Sequence, residues 1–429
     1  MAKGVVVAAP RSGSGKTLLT LAIIAALRGR GFAIAAAKTG PDYIDTAILS
    51  RVAGRPAVNL DPWAMAPART AALAAAQADA DLLVVEGVMG LFDGAADGRG
   101  STGDLAAGLE LPVVLVVDGR HQGQSIAPLV AGFANWRRDL RIAGVIVNRV
   151  GSMRHQRLLV GALRDAGFNV LGAVPEREDL TLPGRHLGLV LPEDFAAFDR
   201  VVDMARVVVA DYVDLAALMA LGAALPAAVP GAGPRLPPLG QRIAIARDAA
   251  FAFLYAHWLA DWRAAGATLS FFSPLADESP AADADAVFLP GGYPELHCGK
   301  LAAAQRFKAG VGAAAARGSL VYGECGGFMV LGRSITDKDD NAHAMTGLLP
   351  VETAIAEPRR VLGYRQLAHA SALPWPARLN GHEFHYSHGS ARGTPSLFEA
   401  SDALGTKLPA MGACLGRVMG SYAHVIDVA

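Results

Sequence analysis

Val5-Val6-Val7-Ala8-Ala9-Pro10-Arg11-Ser12-Gly13-Ser14-Gly15-Lys16-Thr17 runs directly into the helical pattern Leu18-Leu19-Thr20-Leu21-Ala22-Ile23-Ile24. The order is strand, glycine loop, helix. Small residues let successive backbone N–H groups curl around phosphate oxygens, and the helix N-terminus adds its positive dipole end. Lys16 reaches the terminal phosphates and Thr17 can hold Mg²⁺, so Ser12, Gly13, Ser14, Gly15, Lys16 and Thr17 form a nucleotide cradle. Pro10 stands where the usual pattern has its first glycine. A tight strand-to-helix turn with an exposed lysine is the bland alternative.

Downstream, Phe32-Ala33-Ile34-Ala35-Ala36-Ala37 reads as a short buried strand that ends at Lys38-Thr39-Gly40-Pro41-Asp42-Tyr43-Ile44-Asp45. In a parallel sheet the carboxyl ends of neighbouring strands face one crevice, which brings Lys38, Asp42 and Asp45 toward the cradle. A lysine there offsets charge on a transferring phosphoryl group and an aspartate can hold a metal; a solvated turn is the alternative. Leu82-Leu83-Val84-Val85-Glu86 ends in a carboxylate before a glycine-rich turn, the place where phosphate-loop enzymes put an acidic metal ligand. The apolar runs 111–118, 142–149 and 171–175 complete the set, and their continuous apolarity predicts strands covered on both faces. Asn148-Arg149 either approaches an adenine or forms a plain strand-end turn. Arg185-His186-Leu187-Gly188-Leu189 precedes a helical stretch through Leu221. The first half is therefore an α/β domain with a doubly wound parallel sheet, spanning 1–225.

Residues 226–240 are too rich in proline and glycine for an element interior and read as a linker. The α/β alternation restarts in 241–429, with strands at 243–246 and 268–272 and helical spacing over 251–265. Ala286-Val287-Phe288-Leu289 runs into Pro290-Gly291-Gly292, a turn whose N–H groups are free to meet an anion. Leu320-Val321-Tyr322-Gly323-Glu324-Cys325-Gly326-Gly327 puts a cysteine at a strand-to-helix turn packed with glycine, the pattern of a nucleophile elbow. At a helix N-terminus the Cys325 thiol is expected to have a lowered pKa, with the following glycine N–H placed to stabilise an oxyanion. Cys298 and Cys414 lack this setting. A thiolate needs a base: His424, after a glycine turn at Gly420, supplies one, and His382, His385 and His388 compete for the role. Those three histidines also admit a zinc reading or an alternating strand, but their spacing matches no strong zinc pattern.

Thirty-nine basic residues balance thirty-nine acidic ones, so no global field invites nucleic acid or an anionic membrane. The first apolar segment is too short for a secretory leader and is broken by Pro10-Arg11, and the apolar region 201–225 carries four charges: Asp203, Arg206, Asp211 and Asp214. With three widely spaced cysteines, a cytoplasmic protein with reduced thiols is expected.

Taken together, Lys38 to Asp45, Asn59-Leu60-Asp61-Pro62-Trp63, Val85-Glu86-Gly87-Val88-Met89-Gly90-Leu91-Phe92-Asp93-Gly94, Leu289-Pro290-Gly291-Gly292-Tyr293-Pro294-Glu295 and Tyr322 to Gly327 resemble the glutamine-dependent a,c-diamide synthases of corrin biosynthesis. The N-terminal half is similar to dethiobiotin synthetase and, more loosely, to partition ATPases, where Arg11 lies at the place of a second lysine. The C-terminal half resembles triad-type, class I glutamine amidotransferases. The resemblance implies ATP- and glutamine-dependent amidation of the a and c acetate carboxylates of hydrogenobyrinic or cobyrinic acid through acyl phosphates, in cobalamin biosynthesis. By the same resemblance Cys325 is the nucleophile and His424 its base, Gly292 and Gly326 form the oxyanion hole, and Thr17, Asp42 and Glu86 hold Mg²⁺. Lys38 and Asp45 join the catalytic set, L-glutamine, ATP and a corrin polycarboxylate are the substrates, and ammonia passes along a dry path between domains. A homodimer is compatible with the reading. Such enzymes usually carry a glutamate two residues beyond the histidine. This chain has Ile426 there and Asp427 next, which leaves the third triad member open, and the corrinoid branch commonly uses a cysteine–histidine pair. A cobyric acid synthase, a stand-alone dethiobiotin-type ligase and a partition-type ATPase switch are the rivals.

Overall fold

The computed structural model describes residues 2–180, 184–185, 188–189, 195–227, 235–355, 360–390 and 393–429. The chain divides into two compact units, Met1–Gly233 and Pro234–Ala429.

In the first unit seven strands, β1 (Lys3–Ala8), β2 (Ile34–Thr39), β3 (Val58–Leu60), β4 (Leu82–Glu86), β5 (Val113–Asp118), β6 (Ile142–Val150) and β7 (Val170–Pro175), lie in the order β3-β2-β4-β1-β5-β6-β7. Each neighbouring pair is parallel. The apolar runs behave as continuous apolarity demands: Val5, Val6 and Val7, and Leu82 to Val85, are wholly removed from solvent. The order reverses about β1, so the crevice at the carboxyl ends of β1, β2 and β4 receives the loops that follow them. β3 is too short for its pattern to stand out in the sequence. The two-residue strand Ala223–Ala224 pairs antiparallel with the start of β1. The helical stretch through Leu221 is two helices, Phe198–Tyr212 and Leu215–Leu221, broken where Asp214 caps the second by accepting from the Ala217 N–H. Within the segment 185–189, 184–185 pair antiparallel with 188–189, and His186 and Leu187 lie outside the described residues. Residues 228–234 of the expected linker also lie outside them.

The second unit is built on β8 (Arg242–Ala246), β9 (Thr268–Phe272), β10 (Ala286–Leu289), β11 (Leu320–Glu324), β12 (Val361–Ala368), β13 (Arg378–His385), β14 (Glu399–Ser401), β15 (Ala413–Leu415), β16 (Val418–Ser421) and β17 (His424–Val428). One sheet runs β9-β8-β10-β11-β16-β15, parallel except for its last pair, and a second, antiparallel, runs β14-β12-β13-β17. The helix expected over 251–265 is confined to Ala256–Ala264, because Phe251, Phe253 and Tyr255 turn into the core and the Phe253 N–H bonds to the Gly291 carbonyl. Gly420 is not a turn before His424. It lies inside β16 against Gly323, where a Cβ would stand 2.5 Å from the Gly323 carbonyl oxygen, so its missing side chain serves close strand approach. Only Tyr422 and Ala423 separate β16 from β17, and the chain changes sheets across them. Among the described residues no helix is long and apolar enough to cross a membrane.

Candidate active sites

The loop after β1 closes with Gly13 and Gly15 at φ 79° and 85°, in the left-handed region that glycine enters without strain, and the helix Lys16–Gly29 follows at once. The end of β6 clasps this loop from the side. Asn148 Nδ2 donates to the Ser14 carbonyl at 2.9 Å and Arg149 to the Gly13 carbonyl at 2.6 Å. A Cβ on Gly15 would stand 2.2 Å from Asn148 Nδ2, so this glycine is required for the clasp as well as for the turn. Of the two readings of Asn148-Arg149, neither covers this role as a brace for the phosphate loop. Asp118, buried at the end of β5, holds Arg149 at 2.9 Å and Arg11 at 3.5 Å.

Glu86 is fully buried at the end of β4, directly opposite Lys38 in the parallel register with β2. Its Oε1 accepts from Lys16 Nζ at 3.0 Å and Thr17 Oγ1 at 2.5 Å and lies 3.2 Å from Lys38 Nζ. Lys38 Nζ also donates to Asp45 Oδ2 at 2.5 Å, and both lysines reach the Gly87 carbonyl. Asp42 caps the helix Tyr43–Ala53 by accepting from the Asp45 N–H. Of the sequence-predicted set, Lys16, Thr17, Lys38, Asp42 and Asp45 line one cleft of about 580 Å³, and Glu86 is buried behind them, joined through Lys16, Thr17 and Lys38. Burial pulls the Lys16 ammonium down toward its neutral form. It pulls on Lys38 too, but Asp45, Glu86 and Asp42 outweigh it and hold that ammonium charged. Burial likewise opposes charge on Glu86, yet Lys16, Lys38 and the Thr17 hydroxyl bring its pKa to about 2. Asp42 goes the other way, pushed up to about 7 by burial and by Asp45.

These groups fit a divalent cation beside a polyphosphate. Glu86 Oε2 is buried and has no hydrogen-bond partner among the described residues, and the hydroxyl of Thr17 already lies against the same carboxylate. Mg²⁺ is typically held by one or two carboxylates together with phosphate oxygens rather than by an all-protein cage.

In the second unit Cys325 sits between β11 and the helix Gly326–Leu331 with φ 46° and ψ −107°, a conformation costly for a residue with a side chain. The elbow is locked by close packing: a Cβ on Gly327 would stand 1.8 Å from the Leu289 carbonyl oxygen. Across from it, the point where a Gly291 Cβ would stand is 2.3 Å from His424 Cε1 and 3.3 Å from Cys325 Cβ, so the imidazole and the Cys325 side chain flank this glycine. The Gly292 nitrogen lies 3.2 Å from the corresponding point on Gly326, bringing the two expected oxyanion donors side by side.

His424 opens β17 opposite His382 of β13, and the two rings stack 5.0 Å apart at 14°. His382 Nε2 meets the Tyr255 hydroxyl at 3.2 Å. On the other side, Glu324 Oε2 is 3.7 Å from His424 Nδ1. His385 stacks on Tyr422 at 4.1 Å and contacts Glu383 at 3.2 Å, and Glu383 pairs with Arg365 at 2.6 Å. His388 is exposed. Among the described residues no three His, Cys, Asp or Glu side chains are grouped to hold a metal.

The thiol departs from expectation. Burial pushes the Cys325 pKa up, and Glu295, Glu324 and Glu383 push it further, against the pull of the Gly326 N–H. Desolvation in this carboxylate-rich pocket outweighs the helix N-terminus. Cys298 donates weakly to the Pro294 and Glu295 carbonyls and is likewise pushed up, to about 11, by burial; Cys414 is half-buried.

Residues 5–190 match the model for a CobQ/CobB/MinD/ParA nucleotide binding domain, and residues 242–427 that for a CobB/CobQ-like glutamine amidotransferase domain. Over 99% of this chain and 98% of the relative, the sequence is 51% identical to the hydrogenobyrinate a,c-diamide synthase of Brucella anthropi. The chain belongs to the hydrogenobyrinate a,c-diamide synthase family. The enzymes of that name from a Sinorhizobium species and from Rhodobacter capsulatus are 49% and 48% identical, at 99% and 98% coverage of their own lengths.

For this family member the structure adds residues that the sequence reading passed over. Val174, Pro175, Val208 and Val209 form an apolar wall of the cleft that holds Lys16. Pro175 was within reach, since it ends β7 at the same sheet edge as the phosphate loop. Val208 and Val209 come from the helix Phe198–Tyr212, far along the chain, and carry no local signal. Glu295, half-buried beside Pro294, has its pKa pushed up to about 7 by burial.

Proposed function

We propose that this chain amidates the a and c acetate carboxylates of hydrogenobyrinic or cobyrinic acid, drawing nitrogen from glutamine and energy from ATP, in the cytoplasm. The division of labour assigns activation to 1–225 and nitrogen release to 241–429. One observation carries the reading: a glycine-locked cysteine elbow and an imidazole flank the same glycine in a chain whose other unit pairs a phosphate loop with a buried, doubly lysine-bridged glutamate.

Cys325 gives up its proton to His424 as its sulfur attacks the side-chain amide carbon of glutamine. The N–H groups of Gly292 and Gly326 take the charge of the tetrahedral oxyanion, and His424 returns the proton to the departing ammonia. Water, deprotonated by His424, then cleaves the thioester and frees glutamate. Burial favours the protonated resting thiol, so attack depends on a base that takes its proton. In the first unit Ser12 to Thr17 would bind the triphosphate, while Thr17, Glu86 and Asp42 would hold Mg²⁺, which supplies charge neutralisation. Lys38, fixed by Asp45, stabilises charge on the phosphorylated substrate carboxylate, the electrophile that ammonia attacks.

The test is amidation of the metal-free and the cobalt-containing substrate, counted by mass spectrometry, with glutamine or ammonium salt as nitrogen source. Cys325→Ser is expected to lose glutamine use and keep ammonium use, and Lys16→Ala or Glu86→Gln to lose both. Retained glutamine use by Cys325→Ser, or addition of amides at other side chains, would refute the assignment.

A further inference from the structure

The place of the usual third triad residue is taken by Ile426, whose side chain is fully buried and whose carbonyl accepts from Trp258 Nε1 at 3.0 Å. Asp427, next in line, accepts from the Val428 N–H through Oδ1. A carboxylate reaches His424 from elsewhere: Glu324, the residue immediately before the nucleophile. Strand alternation in β11 puts Tyr322 and Glu324 on one face. Glu324 is 1% exposed, and its Oε1 is fixed by two donors, the Tyr322 hydroxyl at 2.9 Å and the Val425 N–H at 3.0 Å. The second donor is the backbone of the residue that follows His424, so the carboxylate is tied to the strand that carries the imidazole. With Oε1 occupied, Oε2 is left 3.7 Å from His424 Nδ1.

We infer that Glu324 is the positioning residue for His424, completing a Cys325–His424–Glu324 set in which the carboxylate comes from the nucleophile's own strand. The inference rests on the assignment of Cys325 and His424 made above. At 3.7 Å the pair is within ion-pair range but too long for a hydrogen bond, a looseness common in ligand-free sites that tightens when the imidazole takes a proton. By attracting a proton to Nδ1, the carboxylate leaves Nε2 as the lone-pair nitrogen and stabilises the imidazolium formed during attack. His424 is also faced by the parallel ring of His382, the Phe253 ring and the Cys325 side chain, none of which carries a carboxylate.

The experiment uses the full-length chain. Glu324→Gln keeps an oxygen for the Tyr322 and Val425 donors and removes the charge. Expected are a 10- to 100-fold fall in kcat for glutamine hydrolysis, a KM for glutamine within threefold of wild type, and an equal slowing of Cys325 alkylation by iodoacetamide. Tyr322→Phe, which removes a buried hydrogen bond but no charge, is expected to lower kcat less than threefold. That separates a role for the carboxylate from mere packing. Histidine ¹⁵N spectra of the wild type report the tautomer directly. The Nδ1–H form at His424, lost in Glu324→Gln, is the expected result, and it decides the matter even where the variant does not fold. An Nε2–H tautomer in the wild type, or wild-type kcat and alkylation in Glu324→Gln, overturns the inference. Unimpaired glutamine turnover by His424→Ala would instead bring down the cysteine–histidine reading beneath it.

Discussion

Gly291→Ala is the sharpest probe of the thiol site, because its effect follows from distances alone. The backbone at Gly291 is not in the left-handed region, so alanine meets no conformational penalty there. The new methyl, however, would stand 2.3 Å from His424 Cε1, where carbon atoms in contact sit roughly 3.5–4.0 Å apart. The imidazole must therefore retreat by more than about 1 Å, against the stacked His382 ring and the Glu324 side. A displacement of that size between reacting groups costs on the order of 100-fold in rate. Crowding of this kind also destabilises by about 1–3 kcal/mol. Steady-state glutamine hydrolysis is thus expected to fall about 100-fold while ammonium-driven amidation persists. A hydrolysis rate within threefold of wild type would show that the ring facing Gly291 is not the base.

Two stability measurements probe the charges around the thiol. Glu295 titrates near 7 in the fold, well above its ordinary 4.5, so its charged form is disfavoured by folding. The cost is absent below pH 4.5, grows between 4.5 and 7 and is complete above 7; a shift of this size converts to roughly 3 kcal/mol at most. Glu295→Gln should then be about 1–3 kcal/mol more stable than wild type in urea unfolding at pH 8.5 and no different at pH 4.5; a pH-independent difference would refute the burial argument. Glu383 is the opposite case: burial raises its pKa, but His385 and Arg365 outweigh it and hold it low. Its contribution is present above the ordinary carboxylate range and fades as pH falls through the lowered value. Removing its partner with Arg365→Met should cost about 3–5 kcal/mol at neutral pH, much of it recovered in Arg365→Met/Glu383→Gln. Additive losses in that cycle would show that the two side chains do not act as a pair.

Where the sequence was informative, the signal was local. Phosphate loop, strand-end Glu86 and cysteine elbow each occupy a few consecutive residues whose glycines and apolar runs have one structural solution. What it hid depends on residues far apart in the chain. Glu324 and His424 are a hundred positions from one another and meet because β11, β16 and the sheet change at Tyr422-Ala423 bring them together. Gly420 read as a turn because a glycine leaves the same mark in a sequence whether it serves a bend or a close crossing. The Cys325 thiol behaves otherwise than expected for a related reason: its helix N-terminus is visible in the sequence, but its burial and two of the glutamates that oppose ionisation, Glu295 and Glu383, come from other elements.

The same distinction governs the first unit. Lys16, Thr17 and Lys38 all converge on one oxygen of Glu86, and the nearby carboxylates Glu86, Asp45 and Asp42 outnumber the two lysines. With burial added, Asp42 is the member held close to neutrality. A divalent cation would reverse that balance, favouring ionised Asp42 and taking over part of the charge that Lys16 now satisfies on Glu86. Lys16 would then be released toward an anionic ligand, while Lys38, tied to Asp45, would keep its place. On the proposed reading the two lysines are therefore not equivalent: Lys16 exchanges partners as the triphosphate binds, and Lys38 is the fixed charge against which the activated carboxylate forms.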